Sequence, residues 1–288
     1  MEVLKTMDFS SLLPIAESIA GGAIGAGTLK GPLKSLDDWW YYNFGSKTEL
    51  ARQKAELLNA QRLEAYKSDI YEEVKNIPPE NVKEPKLDII GPALEASKYY
   101  IDAPELRKMF AKLVASSVDS RKETTTRSAF VEFVKQMSPL DAKLLSILTA
   151  SSSLPICKIN RTLKNGGNVL LKSEILPIYS LADTNERLVV PSTIINLSRM
   201  GLVQVSYSKS LMNSDYTEIF SKTPEYLNSI QELEQKTKAY QATKNTEVPT
   251  QFSNLLTQLK QIAESTITIE KGTLSVTALG KDFTSICL

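Results

Sequence analysis

The sequence predicts a mostly α-helical protein, with an N-terminal helical domain and a C-terminal winged-helix-like domain that carries an inserted helical hairpin. Three observations predict it. Apolar residues recur at three- and four-residue spacing through most of the chain. The stretch NIPPENVKEP, Asn76 to Pro85, sets three prolines in ten residues and breaks that pattern. From Ser138 onward, helical stripes alternate with the strand-like LVQVSY and with TITIEKGTLSV, where apolar and polar residues alternate.

Residues 1–45 form a Gly- and aromatic-rich N-terminal segment. Leu12, Ile15, Ala16, Ile19, Ala23 and Ala26 keep helical spacing, with Pro14 tolerable in a first turn. The stretch is no phosphate loop: GAIGAGTLKG lacks the Gly-Lys-Ser/Thr ending, and no strand precedes it. Small residues four apart (Gly21/Gly25, Ala23/Gly27) permit close helix contact, and Trp39, Trp40, Tyr41 and Tyr42 could sit at a headgroup interface. Burial against protein uses the same residues. Membrane or partner contact through residues 10–45 therefore stays open, centred on those four aromatics.

Residues 46–137 read as the helical domain. SKTE at Ser46 is a capping box opening a helix to about Val74, with Leu58, Tyr66, Ile70 and Val74 near one face. The Pro-rich connection at 76–85 reads as a hinge or rigid linker, and Gly91-Pro92 as the start of the next helix. Pro104 to Asp119 is the cleanest amphipathic stretch: Leu106, Met109, Phe110, Leu113, Val114 and Val118 share one face, with Arg107, Lys108 and Lys112 opposite. Ser128 caps a short helix bearing Phe130, Phe133, Val134 and Met137.

Residues 138–288 read as the winged-helix-like domain. Ser138, Pro139 and Asp141 supply an N-cap, a first-turn proline and a capping-box partner. Leu154 to Leu163 reads as a second helix ending at Asn165-Gly166-Gly167, and Pro191 to Met200 as a third, stopping at Gly201. LVQVSY is a strand, and TITIEKGTLSV a hairpin turning at Lys271-Gly272. The insertion, about 215–264, holds two helical patterns, one from Thr223-Pro224 and one after Pro249, which predict an antiparallel pair.

The chemistry is bounded chiefly by an absence, since the 288 residues contain no histidine. Imidazole metal sites, Ser/His and Cys/His nucleophiles and histidine bases are excluded, as are nuclease classes that need one. Cys157 and Cys287 stand alone, fitting a reducing cytoplasm and buried packing roles, and MEVLKTMDFSSLLPIAES has no secretory pattern. Asp37/Asp38 and Glu72/Glu73 are chain neighbours, which point apart on a helix, and Glu270-Lys271 resembles a nuclease E-x-K tail only superficially. No catalytic, cofactor or metal residue is assigned.

Net charge is +1, and Ser138 to Leu288 carries 15 basic against 13 acidic residues, so no basic face advertises nucleic acid. If the third helix is a DNA-recognition helix, Ser192, Thr193, Asn196 and Arg199 are the residues able to reach bases or phosphates.

The blocks NIPPENVKEP, GPALEASKYYIDAPELRKMFAKLVASSVD, FVEFVKQMSPLDAKLLSIL, LSRMGLV and LSVTALGKDFTSICL together resemble the Abi-alpha family of bacterial proteins named for abortive infection, over roughly Ser46 to Leu288. The resemblance implies a role in antiphage defence and brings no catalytic motif. The expectation is a cytoplasmic, non-enzymatic interaction protein that binds a protein partner, with homo-oligomers in view. The alternatives are a winged-helix DNA-binding regulator, a membrane-acting effector lying at the inner face of the cell membrane, and a histidine-free enzyme.

Overall fold

The computed structural model describes residues 49–177, 183–243 and 250–288. The glycine- and aromatic-rich segment with Trp39 to Tyr42, the Ser46 cap and the link between the inserted helices lie outside them. The described residues are mostly helical, with one four-stranded antiparallel sheet. They divide into two compact units: one runs to Lys143 and takes in Leu279–Leu288, and the other is Leu144–Ala278.

In the first unit, α1 (Glu49–Val74), α2 (Leu87–Tyr100) and α3 (Pro104–Ser117) pack together. The face expected of α3 is the core: Leu106, Met109, Phe110, Leu113, Val114 and, just beyond the helix, Val118 are all buried. α2 meets it with a small-residue face, Gly91, Ala93, Ala96 and Ser97, which lets the backbones approach. It begins at Leu87 rather than at Gly91-Pro92, and Pro92 lies within it. There the proline falls in the second turn, past the four residues whose N–H groups lack a helical partner, so it removes the one bond its amide would make, to the Asp88 carbonyl.

The Pro-rich connection contains a single turn at Pro79–Asn81, and its far end is fastened. Val82 bridges Asp119, and the Lys83 amide donates to the Val118 carbonyl at 2.9 Å. Both flanks belong to the same unit, so this connection does not separate the two. Ser128 precedes α4 (Ala129–Lys135) without a side-chain capping bond. Phe130 of α4 meets Phe283 of the C-terminal helix edge-on, with ring centres 5.2 Å apart.

α5 (Pro139–Ser151) opens with the expected capping box. The Asp141 carboxylate accepts from the Ser138 amide (2.7 Å) and hydroxyl (2.8 Å), and the Asp141 amide donates back to the Ser138 hydroxyl. Beyond it the structure departs from expectation. Ser152, at φ +63°, ends the helix, and Leu154 to Leu163 is no helix but most of strand β1 (Ser153–Thr162). The Asn165-Gly166-Gly167 turn, with Gly166 at φ +85°, returns the chain into β2 (Asn168–Ile175).

Pro155 fits this central strand because β2 pairs only from Cys157 onward, so its missing N–H interrupts no ladder on that side. α6 (Thr184–Arg199) and β3 (Val203–Ser206) follow. The three-helix order expected of a winged helix is therefore broken at its second member.

The chain after β3 holds the two helices expected there and one more. α7 (Tyr216–Phe220) precedes α8 (Pro224–Thr243) and α9 (Ser253–Ala263), which pack along each other. The chain then enters β4 (Thr266–Val276) and finally α10 (Ala278–Cys287). TITIEKGTLSV forms no hairpin: β4 is continuous and pairs with β1 over ten successive residues, Lys271 facing Cys157 and Gly272 facing Ile156.

Gly272 serves close approach rather than a turn. A Cβ there would meet Tyr207 Cδ1 at 2.7 Å and the Ser206 carbonyl at 2.9 Å. Sheet order is β2-β1-β4-β3. One face is covered by Tyr216 and Phe220 of α7, packed on Cys157, Ile159 and Ile175.

Candidate interaction surface

α6 begins seven residues before the expected Pro191, because Asp183 caps it and accepts the Asn185 amide at 2.7 Å. The early start adds Arg187, Leu188 and Val189 to the helix and so changes what its faces carry. Val190, Thr193, Ile194 and Leu197 point inward and are buried. The opposite stripe, at four- and three-residue steps, is Leu188, Ser192, Ile195 and Arg199, flanked by Val189. Leu188 is 77 % exposed, Ile195 60 % and Val189 48 %.

The four candidate DNA-contacting residues do not form one exposed set. Thr193 is buried. The Ser192 hydroxyl donates to its own helix at the Val189 carbonyl, 2.8 Å away. The half-buried Asn196 accepts from Arg199 Nη2 at 2.9 Å. Arg199 is exposed, and Arg187, the other basic residue of the helix, is buried in an ion pair. The outward face is apolar with one cation. Sequence reasoning missed Leu188, Val189 and Arg187 because Pro191 was read as a helix start. The available signal was Asp183 with Glu186 three residues on, a capping-box spacing.

Arg187 ties three segments together. Its guanidinium donates to both carboxylate oxygens of Glu225 at the start of α8 (3.2 and 2.9 Å). It also donates to the Leu176 and Pro177 carbonyls (3.0 and 3.3 Å). Beside this knot lies a cavity of about 430 Å³, walled by β2 on one side and by α6 and α8 on the other. Leu171, Ile175, Leu188 and Pro191 give it apolar walls, and Asn228 and Ser229 contribute polar atoms.

A second polar group sits on the sheet. Lys158 Nζ lies 3.6 Å from the Glu270 carboxylate and 3.8 Å from the centre of the Tyr207 ring, while Asn160 donates to Glu270 at 3.0 Å. Burial, reinforced by the Glu174 charge, pushes the Tyr207 hydroxyl far up, so it stays protonated. Glu270 and Lys271 are mid-strand, and their side chains point to opposite faces. Glu270 meets Lys158, whereas Lys271 lies 5.7 Å from the Tyr216 ring. An E-x-K type site therefore does not assemble there.

Cys157 and Cys287 are buried thiols, pushed up by that burial. Glu72 is engaged by Lys75. Among the described residues no three Cys, Asp or Glu side chains group closely enough to hold a metal ion. Among the same residues no helix is long and apolar enough to cross a membrane.

A family model described as abortive infection alpha matches residues 58–287. No curated protein and no solved structure matches the chain.

Proposed function

The chain belongs to the abortive infection alpha family, and from that premise we propose that it is a non-enzymatic, cytoplasmic interaction protein of antiphage defence. In this reading the Leu144–Ala278 unit binds a protein partner through the outward face of α6. One observation carries the reading: Leu188, Val189 and Ile195 stand exposed on that face, where a DNA-reading helix would present donors and cations. Exposed aliphatic side chains of this kind gain most from burial against another apolar surface, at ~25 cal/mol per Å² removed from water. A phosphate backbone rewards none of them, and a single exposed arginine neutralises little of its charge.

The test pairs two sets of surface changes in cells challenged with phage. Val189→Asp with Ile195→Asp should leave the fold intact and abolish protection, whereas Ser192→Ala with Arg199→Ala should leave protection unchanged. The opposite pattern, together with salt-sensitive retention of duplex DNA by the purified protein, would establish the DNA-binding regulator instead.

A further inference from the structure

We infer that the cavity between β2, α6 and α8 receives a large apolar side chain of the partner protein, flanked on the partner by a basic residue that meets Glu232 and an acidic one that meets Lys172. The inference rests on the reading of Leu144–Ala278 as the partner-binding unit, and it names what the partner presents there.

Continuity with the α6 face carries it. Leu188 belongs to both surfaces: it stands 77 % exposed on the outward stripe and also lines the cavity. Pro191, about one turn on, lines the same flank of the helix. A partner laid over Leu188, Val189 and Ile195 therefore reaches the cavity without leaving α6. Both α6 and α8 pack on β2, so the space left open between them is bounded on three sides, with Leu171 and Ile175 of β2 adding apolar wall. At about 430 Å³ it lies within the ~300–1,000 Å³ range of ligand clefts. Protein interfaces concentrate their binding energy where a large side chain of one partner fills such a pocket and near-neutral contacts around it exclude water.

Charge selects what flanks the anchor. Lys172 on β2 and Glu232 on α8 are exposed on different walls of the cavity, and neither makes an ion pair or hydrogen bond among the described residues. The other charges there are already answered: Arg187 pairs with Glu225, and Glu174 accepts from the Tyr207 hydroxyl at 3.4 Å. A partner that covers the cavity displaces water from Lys172 and Glu232, and only opposite charges compensate them. A two-fold contact centred on this patch would set cavity against cavity and leave both unfilled. The occupant is thus another protein, presenting an apolar anchor between an acid and a base.

Short peptides selected from a random displayed library on the full chain test this, with binding of the enriched sequences followed by fluorescence anisotropy. Enriched peptides should carry a large apolar residue flanked by one acidic and one basic residue. Glu232→Lys should weaken them by roughly tenfold, through one lost attraction and one added repulsion. In a fresh selection the same variant should exchange the base for an acid, and Lys172→Glu should exchange the acid for a base. Asn228→Trp, which sets an indole into the cavity from an exposed position on α8, should abolish peptide binding and, in cells, protection against phage.

Peptides that bind the Asn228→Trp protein equally well, or whose charges do not follow the two reversals, would overturn the cavity as the seat while leaving the α6 reading intact. An empty selection would overturn it too, and the phage challenge of Val189→Asp with Ile195→Asp would then decide the α6 reading separately. Self-association of the full chain that is lost in Asn228→Trp would place a second copy on the cavity and overturn the proposal. Loss of peptide binding and of protection in Asn228→Trp, with normal defence by Val189→Asp with Ile195→Asp, would keep the cavity and retire the α6 face.

Discussion

Arg187→Ala removes the group that fastens α6 to the end of β2 and to the first turn of α8. Arg187 and Glu225 keep only 6 % and 22 % of their side-chain exposure. Removing one partner of a buried pair costs ~3–5 kcal/mol, because the other charge is left without compensation. The lower end applies here. The Glu225 carboxylate is partly wetted, and Leu176, whose carbonyl loses a donor, lines the adjoining cavity, where water can replace it.

A loss of about 3 kcal/mol, at ~4 °C per kcal/mol for a unit of this size, lowers the midpoint of its thermal transition by about 12 °C. Denaturant unfolding followed by circular dichroism measures the loss, and hydrogen exchange at the first turn of α8 localises it. Arg187→Met combined with Glu225→Leu should recover most of it, since an apolar pair of similar volume leaves no buried charge unmet. A loss below about 1 kcal/mol for Arg187→Ala, the scale of an exposed pair, would refute the reasoning. So would a double variant no more stable than the single one.

Three further outcomes follow from other parts of the chain. Gly272→Ala should cost ~1–3 kcal/mol, because the added methyl meets both the Tyr207 ring and the Ser206 carbonyl. Tyr207→Ala should relieve only part of that cost, as read by denaturant midpoints. The Asp119 carboxyl lies below its ordinary value of 3.8, first because the Arg121 side chain hydrogen-bonds to it and then through the Arg121 amide, with burial opposing both. Its contribution to stability is present above that ordinary value and is lost as pH falls through the lower folded value, so Asp119→Asn should flatten the acid limb of the stability profile. Burial, with the Glu225 charge adding, pushes Cys157 up to about 12, and burial raises Cys287 as well. Neither should react with a thiol reagent at neutral pH until denaturant opens the fold, and rapid alkylation of the native protein would contradict their packing role.

The sequence by itself determined the elements whose local chemistry and burial agree. The stripe from Leu106 to Val118 could bury only as one helix face, and Ser138 with Asp141 closes a capping box from residues three apart. The inserted helices α8 and α9 were legible for the same reason, since each repeats at helical period after a proline break, at Pro224 and at Pro249. The missing histidine bounded the chemistry with no structure needed.

Tertiary pairing decided the rest. Leu154 to Leu163 is apolar in a way that serves a helix or a strand equally, and ten partners on β4 made it a strand. Those same pairings drew Lys271-Gly272 out into the middle of β4, where the glycine answers the Tyr207 ring rather than a turn. The face of α6 turned on where that helix starts, and Asp183 outweighed the proline that marks a helix start in isolation. Which side chains of α6 stand exposed depends on contacts between residues far apart in the chain, and local periodicity carries no record of those contacts.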